Sequence, residues 1–381
     1  MGEHHVVDAP HRVTAVPVHS VPDSASWARD RTAAQPHNRT TAKKNNEEPA
    51  IDAKHTAEST ALFIDCDPGM DDALALIVAL KTANLRLCAV TSVSGNLPAE
   101  RCYRNIHTIL QLMKVPATGP TGVCTGRGGP HPLVRELAHD PFSHGADGLG
   151  ETGLPAAPLP PATAYAPNLL VEHARRHAEQ GDPLTVVALG PLTNIALALR
   201  MEPRLAQLVK RLIVLGGAFG LQREAALNAT GDNPVSEWNF YVDPEAARQV
   251  LHGGFELVAV GLDVATHRGL LLTAADEQDL RACGRAEARV ACSMLDFVTG
   301  RGFASYCVLI DSCAIAAAAR PDLIETVALH CDVETRGELT RGQTVVDIRD
   351  NFRWGHLPQV HAARDADFPA LRRFIVHTLM A

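Results

Sequence analysis

The stretch ALFIDCDPGMDDALAL, residues 61–76, carries the pattern that decides the fold of this 381-residue chain. Its first four residues are apolar, as in a strand that is buried on both faces of a sheet. The residues from 73 onward have the composition of a helix, and four aspartates lie between the two apolar parts. The stretch therefore predicts a buried strand that passes through an acidic turn directly into a helix.

Short apolar runs and helical patterns alternate along the rest of the chain. The apolar runs span residues 87–90, 184–189, 212–215 and 257–260. The helical patterns lie near residues 99–113, 168–179, 194–199 and 244–251. This alternation predicts an α/β fold, a single domain with a central, mostly parallel sheet flanked by helices, in the manner of a Rossmann-like open sheet. Ligands bind beyond the carboxyl ends of the strands in such sheets, which places the acidic turn at a ligand site.

The composition limits the class of protein. Charged residues make up 20% of the chain and the net charge is -8, and no apolar run approaches the roughly 18 residues of a membrane span. Neither a membrane nor nucleic acid is an expected partner, because the chain also lacks a dense run of Lys and Arg with interleaved aromatic residues. The nine cysteines include no C-x-x-C pair, which favours reduced thiols and a cytoplasmic location.

Residues 1–58 differ from the remainder of the chain. They are rich in His, Asp, Arg, Thr, Asn and Pro and show no periodic apolar pattern, so we predict a disordered N-terminal extension. This segment has no apolar signal-peptide core, and its acidic residues do not fit a transit peptide. Residues 59–381 are predicted to form the folded domain.

The acidic turn has the chemistry of a cation site. Its four carboxylates fall within eight residues and repel one another unless a cation or strong hydrogen-bond donors compensate. Their hard oxygen atoms suit Ca²⁺ or Mg²⁺, and no nearby set of His and Cys residues favours zinc. Two other interpretations use fewer of these side chains. Asp71 and Asp72 are also suited to a helix N-terminus, and a metal-dependent phosphatase has a nucleophilic aspartate after such a strand, although Pro68 and Gly69 interrupt its motif.

The segment DCDPGMDD, residues 65–72, resembles the D-x-D-P-G-x-D-D fingerprint of the inosine-uridine-preferring nucleoside hydrolase family. Further segments resemble that family in the expected order, at residues 93–96 (VSGN), 144–150 (HGADGLG), 190–196 (GPLTNIA) and 237–247 (EWNFYVDPEAA). The resemblance runs from about residue 61 to the end of the chain. It implies that residues 59–381 form a nucleoside hydrolase domain, which cleaves the N-glycosidic bond of ribonucleosides to free base and ribose with a calcium-activated water.

The resemblance also implies roles for residues of the matched segments. The implied calcium ligands are oxygen atoms of four residues, namely the carboxylates of Asp67, Asp72 and Asp311 and the backbone carbonyl of Leu189. Asp67 is the implied general base. The side chains implied to hold the nucleoside are those of Asp71, Asn96, His144, Glu237, Asn239 and Asp311. The expected partner is thus a small-molecule nucleoside, together with further copies of the chain in a homo-oligomer, a dimer or tetramer.

One departure from the family pattern concerns the leaving base. Many relatives have a histidine that can protonate the base directly before the last calcium-binding aspartate, and this chain has Ile310 there. We therefore expect a preference for purine nucleosides, or for substrates with intrinsically good leaving groups, and slow turnover of uridine. A purine preference would place the chain in purine nucleoside catabolism and nucleotide salvage. The candidate replacement acids are Tyr306, His144 and Tyr241. Alternatively, a pocket lined by Trp238 raises the basicity of the purine, and no dedicated acid is needed.

A second departure concerns a contact to the sugar. Gly231 stands where the family has an asparagine, six residues before Glu237, unless a local shift brings Asn233 into use. Two functions remain as alternatives to the hydrolase: a catalytically weak nucleoside-binding relative, and the metal-dependent phosphatase.

Overall fold

The computed structural model describes residues 59–117, 122–138, 140, 142–160 and 164–381. The predicted N-terminal extension, residues 1–58, lies outside the described residues. The strands are β1 (Thr60–Cys66), β2 (Leu85–Ser92), β3 (Cys124–Arg127), β4 (Ala164–Tyr165), β5 (Thr185–Ala188), β6 (Arg211–Leu215), β7 (Leu257–Val260), β8 (Ile324–Val333), β9 (Thr344–Val346) and β10 (Gln359–Ala366). The helices are α1 (Met70–Lys81), α2 (Ala99–Leu112), α3 (Ala166–Glu179), α4 (Thr193–Met201), α5 (Leu205–Leu208), α6 (Trp238–Val242), α7 (Pro244–Leu251), α8 (Leu262–Ala265), α9 (Ala274–Ala282), α10 (Ala286–Gly300), α11 (Ser312–Ala319) and α12 (Phe368–Met380). Short 3-10 helices lie at Arg268–Leu270, Ser305–Val308 and Pro321–Leu323.

Strand β1 lies inside the sheet because its side chains are apolar on both faces. It pairs in parallel with β2 on one side and with β5 on the other. Leu62 and Ile64 pack into an apolar cluster with α1, α11 and α12, while Ala61 and Phe63 pack into a second cluster with α3, α4 and α7. Burying a large apolar side chain contributes roughly 1.5–3 kcal/mol relative to its exposure. The strand is therefore held from both faces, as its apolar run predicts.

The strands form one sheet in the order β4-β3-β2-β1-β5-β6-β7-β10-β8-β9. Neighbouring strands from β4 to β10 in this order are parallel, whereas β8 pairs antiparallel with β10 and β9 pairs antiparallel with β8. The predicted α/β fold, with a mostly parallel central sheet flanked by helices in a single domain, is thereby confirmed. The antiparallel end was not predicted, because β8 is exposed at several of its positions and lacks a continuous buried run.

The register brings the carboxyl ends of five strands to one edge of the sheet. Asp65 of β1 aligns with Thr91 of β2 and with Ala188 of β5, and the alignment continues to Val214 of β6 and Ala259 of β7. The segments that follow these strands emerge side by side and contain Asp67, Asn96, Leu189, Gly216 and Gly261. The position predicted for a ligand site is therefore a place where five chain segments meet.

The helices cover the sheet without forming long apolar rods. Helix α1 buries nine of its 12 residues, and the longest helix described, α10, has 15 residues. Within the described ranges, no helix has both the length and the apolar composition that crossing a membrane requires.

Candidate active site

The acidic turn after β1 is held by hydrogen bonds to Asp72. Asp72 lies in the first turn of α1, and its carboxylate accepts the backbone N–H of Asp67 at 3.1 Å and that of Gly69 at 3.0 Å. Asn96, after β2, donates its side-chain amide to the same carboxylate at 3.2 Å. Asp72 thus acts as a helix N-terminal residue, as the simpler interpretation of the turn proposed, and this role does not exclude binding a cation.

Asp67 fills a space that two glycines leave open. Its Oδ2 accepts the backbone N–H of Asn96 at 2.6 Å, and its Oδ1 is buried without a hydrogen-bond partner. A Cβ at Gly95 would lie 2.0 Å from Oδ2, and a Cβ at Gly190 would lie 2.5 Å from Oδ1. Burial, and then the charge of Asp72, raise the pKa of Asp67 well above its usual range. The unpartnered Oδ1 is therefore an atom with high affinity for a proton or a cation.

Three carboxylates meet beside this turn. Single oxygen atoms of Asp71, Asp72 and Asp311 lie within 4.8 Å of one another. Burial, with a further contribution from Asp71, raises the pKa of Asp72 to about 7. Burial and the charges of Asp71 and Asp72 raise the pKa of Asp311 well above its usual range. Protons or a divalent cation relieve such repulsion, so this acidic trio has the properties of a cation site.

The acidic trio overlaps with the predicted calcium ligands without matching them fully. Both sets contain Asp72 and Asp311, but the trio includes Asp71 where the prediction includes Asp67. Asp311 directly precedes α11 and reaches the trio from a distant part of the chain. The structure thus brings together carboxylates that are about 240 residues apart in sequence.

Glu237 and Asn239 connect α6 to the ends of two strands. Glu237 precedes α6 and accepts the backbone N–H groups of Asn239 at 2.8 Å, Phe240 at 3.0 Å and Gly217 at 3.1 Å. Burial raises the pKa of Glu237 to about 7. Asn239 donates its side-chain amide to the carbonyl of Leu189 at 2.7 Å, which leaves the second lone pair of that carbonyl for another partner.

His144 covers the acidic turn from the loop at residues 142–150. Its Nδ1 accepts the backbone N–H of Met70 at 3.2 Å and lies 3.8 Å from Asp71 Oδ1. A Cβ at Gly69 would approach this nitrogen to 2.4 Å, so the glycine of the turn admits the imidazole ring. The loop itself turns at Gly148, whose φ of +78° favours glycine.

The side chains described above line one cavity. All six residues predicted to hold the nucleoside are on its wall: Asp71, Asn96, His144, Glu237, Asn239 and Asp311. Leu189 is also on the wall, whereas Asp67 and Asp72 are not among the lining residues. Much of the remaining wall is apolar and includes Leu215, Val260, Val298, Phe303 and Ile310. A mainly apolar cavity with convergent polar groups suits a small ligand that carries both hydroxyl groups and a flat ring.

The three candidate acids differ in their access to this cavity. Among the described residues of the wall, His144 is the one candidate present, and Ile310 lies there too. Tyr306 is buried, with 5% of its surface exposed, and is not a lining residue. Tyr241 also lies outside the wall and stacks against Trp238. The geometry therefore leaves His144 as the candidate that can reach a ligand in the cavity.

Neither Gly231 nor Asn233 lines the cavity. A Cβ at Gly231 would lie 2.8 Å from Cβ of Tyr241, so the aromatic residue occupies the direction in which a side chain would point. Asn233 donates its side-chain amide to the carbonyl of Arg341 at 2.8 Å and accepts the N–H of Val235 at 3.1 Å. Its side chain is therefore engaged in holding its own loop.

The wall also contains residues that the sequence motifs did not identify, namely Leu227, Thr230, Phe303 and Cys307. They lie in the segments between β6 and α6 and between α10 and α11. No local pattern marks them, because their approach to the cavity depends on how these loops fold over the edge of the sheet.

Comparison with known proteins gives a consistent group of matches. The sequence profile described as "Inosine-uridine preferring nucleoside hydrolase" matches residues 62–373. The chain is 38% identical to the pyrimidine-specific ribonucleoside hydrolase RihA of Salmonella agona over 312 residues, which cover 80% of this chain and 94% of that enzyme. Among solved structures, a plant nucleoside hydrolase has a TM-score of 0.72 and 29% identity over 84% of this chain and 99% of its own. The purine-preferring ribonucleoside hydrolase from Gardnerella vaginalis has a TM-score of 0.71 and 25% identity over 84% and 98%.

Proposed function

This chain belongs to the inosine-uridine preferring nucleoside hydrolase family and hydrolyses N-glycosyl bonds, and we propose that it cleaves ribonucleosides to free base and ribose in a calcium-dependent reaction. The observation that carries this proposal is the composition of the cavity wall. Six side chains assigned to the nucleoside line one cavity, and two of them, Asp71 and Asp311, belong to the acidic trio. A sugar with vicinal hydroxyls and a flat base match the polar and apolar parts of that wall.

The proposed calcium ligands are the carboxylates of Asp67, Asp72 and Asp311 and the backbone carbonyl of Leu189. Three buried carboxylate oxygens of the acidic turn lack a hydrogen-bond partner, namely Oδ2 of Asp65, Oδ1 of Asp67 and Oδ1 of Asp71, and those of Asp67 and Asp71 support a cation in this region. All of these donors are hard oxygens, which suits calcium. When bound, calcium would supply Lewis-acid activation of a water and orientation of the sugar hydroxyls.

Asp67 is the proposed general base. Its Oδ1 takes a proton from the attacking water while the oxygen of that water bonds to C1′ and the bond from C1′ to the base nitrogen breaks. Burial and the charge of Asp72 raise the pKa of Asp67 in the metal-free protein, and a bound cation would favour the ionised carboxylate that a general base requires. The N–H of Asn96 holds Oδ2 at 2.6 Å, so the carboxylate stays oriented during the transfer.

The sugar hydroxyls are the proposed partners of Asp71, Asn96, Glu237, Asn239 and Asp311. Asp71 offers an oxygen that accepts no hydrogen bond within the described structure. Glu237 is held by three backbone N–H groups, and its oxygens retain lone pairs for a hydroxyl. Negative charge beside the ring also stabilises the positive charge that develops on the sugar as the base departs.

His144 is the proposed acid for the leaving base. Because its Nδ1 accepts the N–H of Met70, the neutral ring carries its proton on Nε2. The electron pair of the breaking bond passes to the base, which then receives this proton. Ile310 has no proton to give, so His144 takes the role that a histidine at position 310 has in many relatives.

The preference for purine or pyrimidine nucleosides depends on the residue that protonates the leaving nucleobase. Ile310 predicts a preference for purines, whereas the Salmonella agona relative, at 38% identity, is named pyrimidine-specific and the Gardnerella enzyme, at 25%, is named purine-preferring. A pyrimidine delocalises the charge of the breaking bond poorly and depends on a proton donor. With His144 as that donor, we propose that pyrimidine nucleosides are hydrolysed efficiently, and the purine preference remains the competing prediction.

The test is a panel of uridine, cytidine, inosine and adenosine, scored by the release of reducing sugar and free base. We expect hydrolysis that is abolished by a calcium chelator and restored by added calcium, with higher kcat/KM for the pyrimidines. Turnover that persists without divalent cations would contradict the metal assignment. Nucleoside binding without turnover, or phosphate release from a phosphomonoester instead, would support the two alternative functions.

A further inference from the structure

The charged side chains on the cavity wall are carboxylates, and no lysine or arginine stands among them. Four carboxylates line the cavity, those of Asp71, Asp140, Glu237 and Asp311, whereas its described lining residues include neither Lys nor Arg. Calcium carries two positive charges, which is fewer than the three carboxylates proposed to bind it, so the wall would stay negative with the ion in place. Charges act strongly at such a mainly apolar wall, because little water screens them. The cavity therefore favours a ligand with positive charge.

Asp140 fixes one of these carboxylates beside the proposed acid. Its Oδ1 accepts the backbone N–H of Phe142 at 2.9 Å and that of Ser143 at 3.2 Å. Its Oδ2 accepts the hydroxyl of Ser143, the residue directly before His144. Burial raises the pKa of Asp140, but these hydrogen bonds outweigh burial and hold that pKa below its ordinary value. A negative charge is thus fixed at the end of the cavity where the base is proposed to lie.

Aromatic rings flank the same end of the cavity. Phe303 lines the wall and contacts Phe142, with 5.8 Å between the ring centroids. The face of such a ring attracts a cation. Arg301 is exposed and absent from the wall, and its guanidinium lies 3.6 Å from the ring centroid of Phe297. The guanidinium is therefore engaged by a ring outside the wall, and Phe303 remains as an aromatic surface for a ligand.

The residue at position 310 also favours a base that leaves without a proton. Ile310 lies on the wall and has no proton to donate. When the base is a pyridinium ring, its nitrogen already carries positive charge in the nucleoside. As the oxygen of the water bonds to C1′ and the bond from C1′ to this nitrogen breaks, the electron pair passes to the ring, which departs as a neutral pyridine. The proton of the water passes to Asp67 and then to solvent, so the reaction balances without a general acid.

From this combination of charge and leaving group we infer that the chain hydrolyses a further class of substrate, ribonucleosides whose base is a permanently cationic ring, such as N-ribosylpyridinium compounds. The inference rests on the proposed function, which supplies the ribose contacts and the attacking water. The carboxylates attract the positive ring, and Phe303 offers it an aromatic surface. A pyridinium ring is six-membered like uracil, so the ring itself requires no larger cavity. Neutral nucleosides depend on His144 for their departure, whereas the cationic ones do not.

The experiment measures kcat/KM of the calcium-loaded wild type on three ribosides of different charge. Nicotinamide riboside is a cation, nicotinic acid riboside is a zwitterion because of its ring carboxylate, and uridine is neutral. We expect hydrolysis of nicotinamide riboside to nicotinamide and ribose, with kcat/KM about tenfold higher than for nicotinic acid riboside. Raising the salt concentration should lower kcat/KM for nicotinamide riboside and change that for uridine by less than about twofold.

Asp140→Asn tests the source of this preference. The amide oxygen of asparagine can still accept the N–H groups of Phe142 and Ser143, so the turn is retained while the charge is removed. The ratio of kcat/KM for nicotinamide riboside to that for uridine should fall about fivefold or more. Glu136→Gln is the matched control and should keep the wild-type ratio, because it removes an exposed carboxylate of the same segment that does not line the cavity.

His144→Ala should raise the same ratio by roughly 10²-fold, because uridine needs the proposed acid and a pyridinium does not. Hydrolysis of uridine but not of nicotinamide riboside by the wild type would overturn the inference and leave the proposed function intact, even if Asp140→Asn failed to fold. Equal kcat/KM for the two pyridinium ribosides, or an unchanged ratio in folded Asp140→Asn, would also overturn it, because charge would then not select the substrate. Hydrolysis of none of the three ribosides would overturn the proposed function itself.

Discussion

Asp67, Asp71 and Asp72 come from one short motif, yet each faces a different environment. Asp72 turns toward two backbone N–H groups of its own turn, Asp67 packs against Gly95 and Gly190, and Asp71 lines the cavity. The spacing of the motif predicts that these carboxylates lie close together. It cannot predict which oxygens meet, because the neighbours that orient them arrive from β2, β5 and the segment before α11. For the same reason the sequence identifies Trp238 as a candidate residue of the pocket but does not show that its buried indole Nε1 lacks a hydrogen-bond partner.

Asp67→Asn tests the proposed base. The amide cannot take a proton from water, and it is a weaker cation ligand, so kcat should fall on the order of 10²-fold or more with the fold retained. The measurement is ribose release at saturating nucleoside and calcium, with circular dichroism to check folding. Asp350→Asn is a control at an exposed carboxylate whose positive φ of 51° suits asparagine. Near-normal turnover of calcium-loaded Asp67→Asn would remove Asp67 from the mechanism.

His144→Ala tests the proposed acid through the dependence on the leaving group. An acid matters most when the base leaves poorly, so kcat on uridine should fall roughly 10²-fold while a riboside with a nitrophenolate leaving group changes little. Adding Ile310→His to this variant should recover part of the uridine activity, because position 310 also lies on the wall. Equal losses on both substrates would mean that His144 shapes the cavity without donating the proton.

The segments that follow the carboxyl ends of the strands position the side chains of the candidate site. Leu189 and Gly190 connect β5 to α4, and α6 connects to β6 through the N–H of Gly217 on Glu237. The glycines at these points are required by close approach. A Cβ at Gly190 would come within 2.5 Å of Asp67 Oδ1 and 2.7 Å of Val93 Cγ1. The sequence shows the motif around Gly190, but the contact of Gly190 with Asp67 depends on the pairing of β1 with β5.

Gly190→Ala should therefore damage the site more than the fold. The added methyl group has to displace the Asp67 carboxylate or the backbone between β5 and α4, and a shift of this size at a base costs on the order of 10²-fold in kcat. Gly300→Ala is the matched control, because a Cβ at Gly300 meets nothing within 4 Å. Both variants are compared by kcat and by melting temperature. If the melting temperature of Gly190→Ala collapses while the kcat of the folded fraction is normal, the contact is purely structural.

The alternation of apolar runs and helical patterns was sufficient to predict the α/β class, because a parallel strand inside the sheet is buried on both faces and shows this in its sequence. The order of the strands was not predictable in the same way. Strand β10 lies between β7 and β8, an arrangement that depends on pairing between distant segments. The cavity likewise takes Thr230, Phe303 and Cys307 from loops without a pattern. Local sequence thus determines the elements, and the wall of the site is completed by tertiary packing.

We expect the buried carboxylates to link the stability of the protein to pH and, through the proposed calcium site, to calcium. Burial raises the pKa of Asp72 and of Glu237 to about 7, from ordinary values of 3.8 and 4.5. A pKa that is raised in the folded state means that the folded protein binds more protons than the unfolded chain between these values. The associated stability is present below the ordinary pKa and is lost as the pH rises through about 7. The calcium-free protein should therefore melt at a lower temperature at about pH 8 than at about pH 6.

Calcium should counteract this loss, because a bound cation compensates the carboxylate charges that protons compensate at lower pH. We expect added calcium to raise the melting temperature by roughly 5 °C or more at about pH 8 and by less at about pH 6, where it competes with protons. The measurement is thermal unfolding in chelator and in excess calcium at both pH values. Asp72→Asn removes a shared member of the trio and of the proposed ligand set, so its calcium shift should be much smaller, whereas Asp350→Asn should keep the full shift. Equal calcium shifts at both pH values in the wild type would show that the cation binds away from the titrating carboxylates, and the proposed ligand set that includes Asp72 would then be wrong.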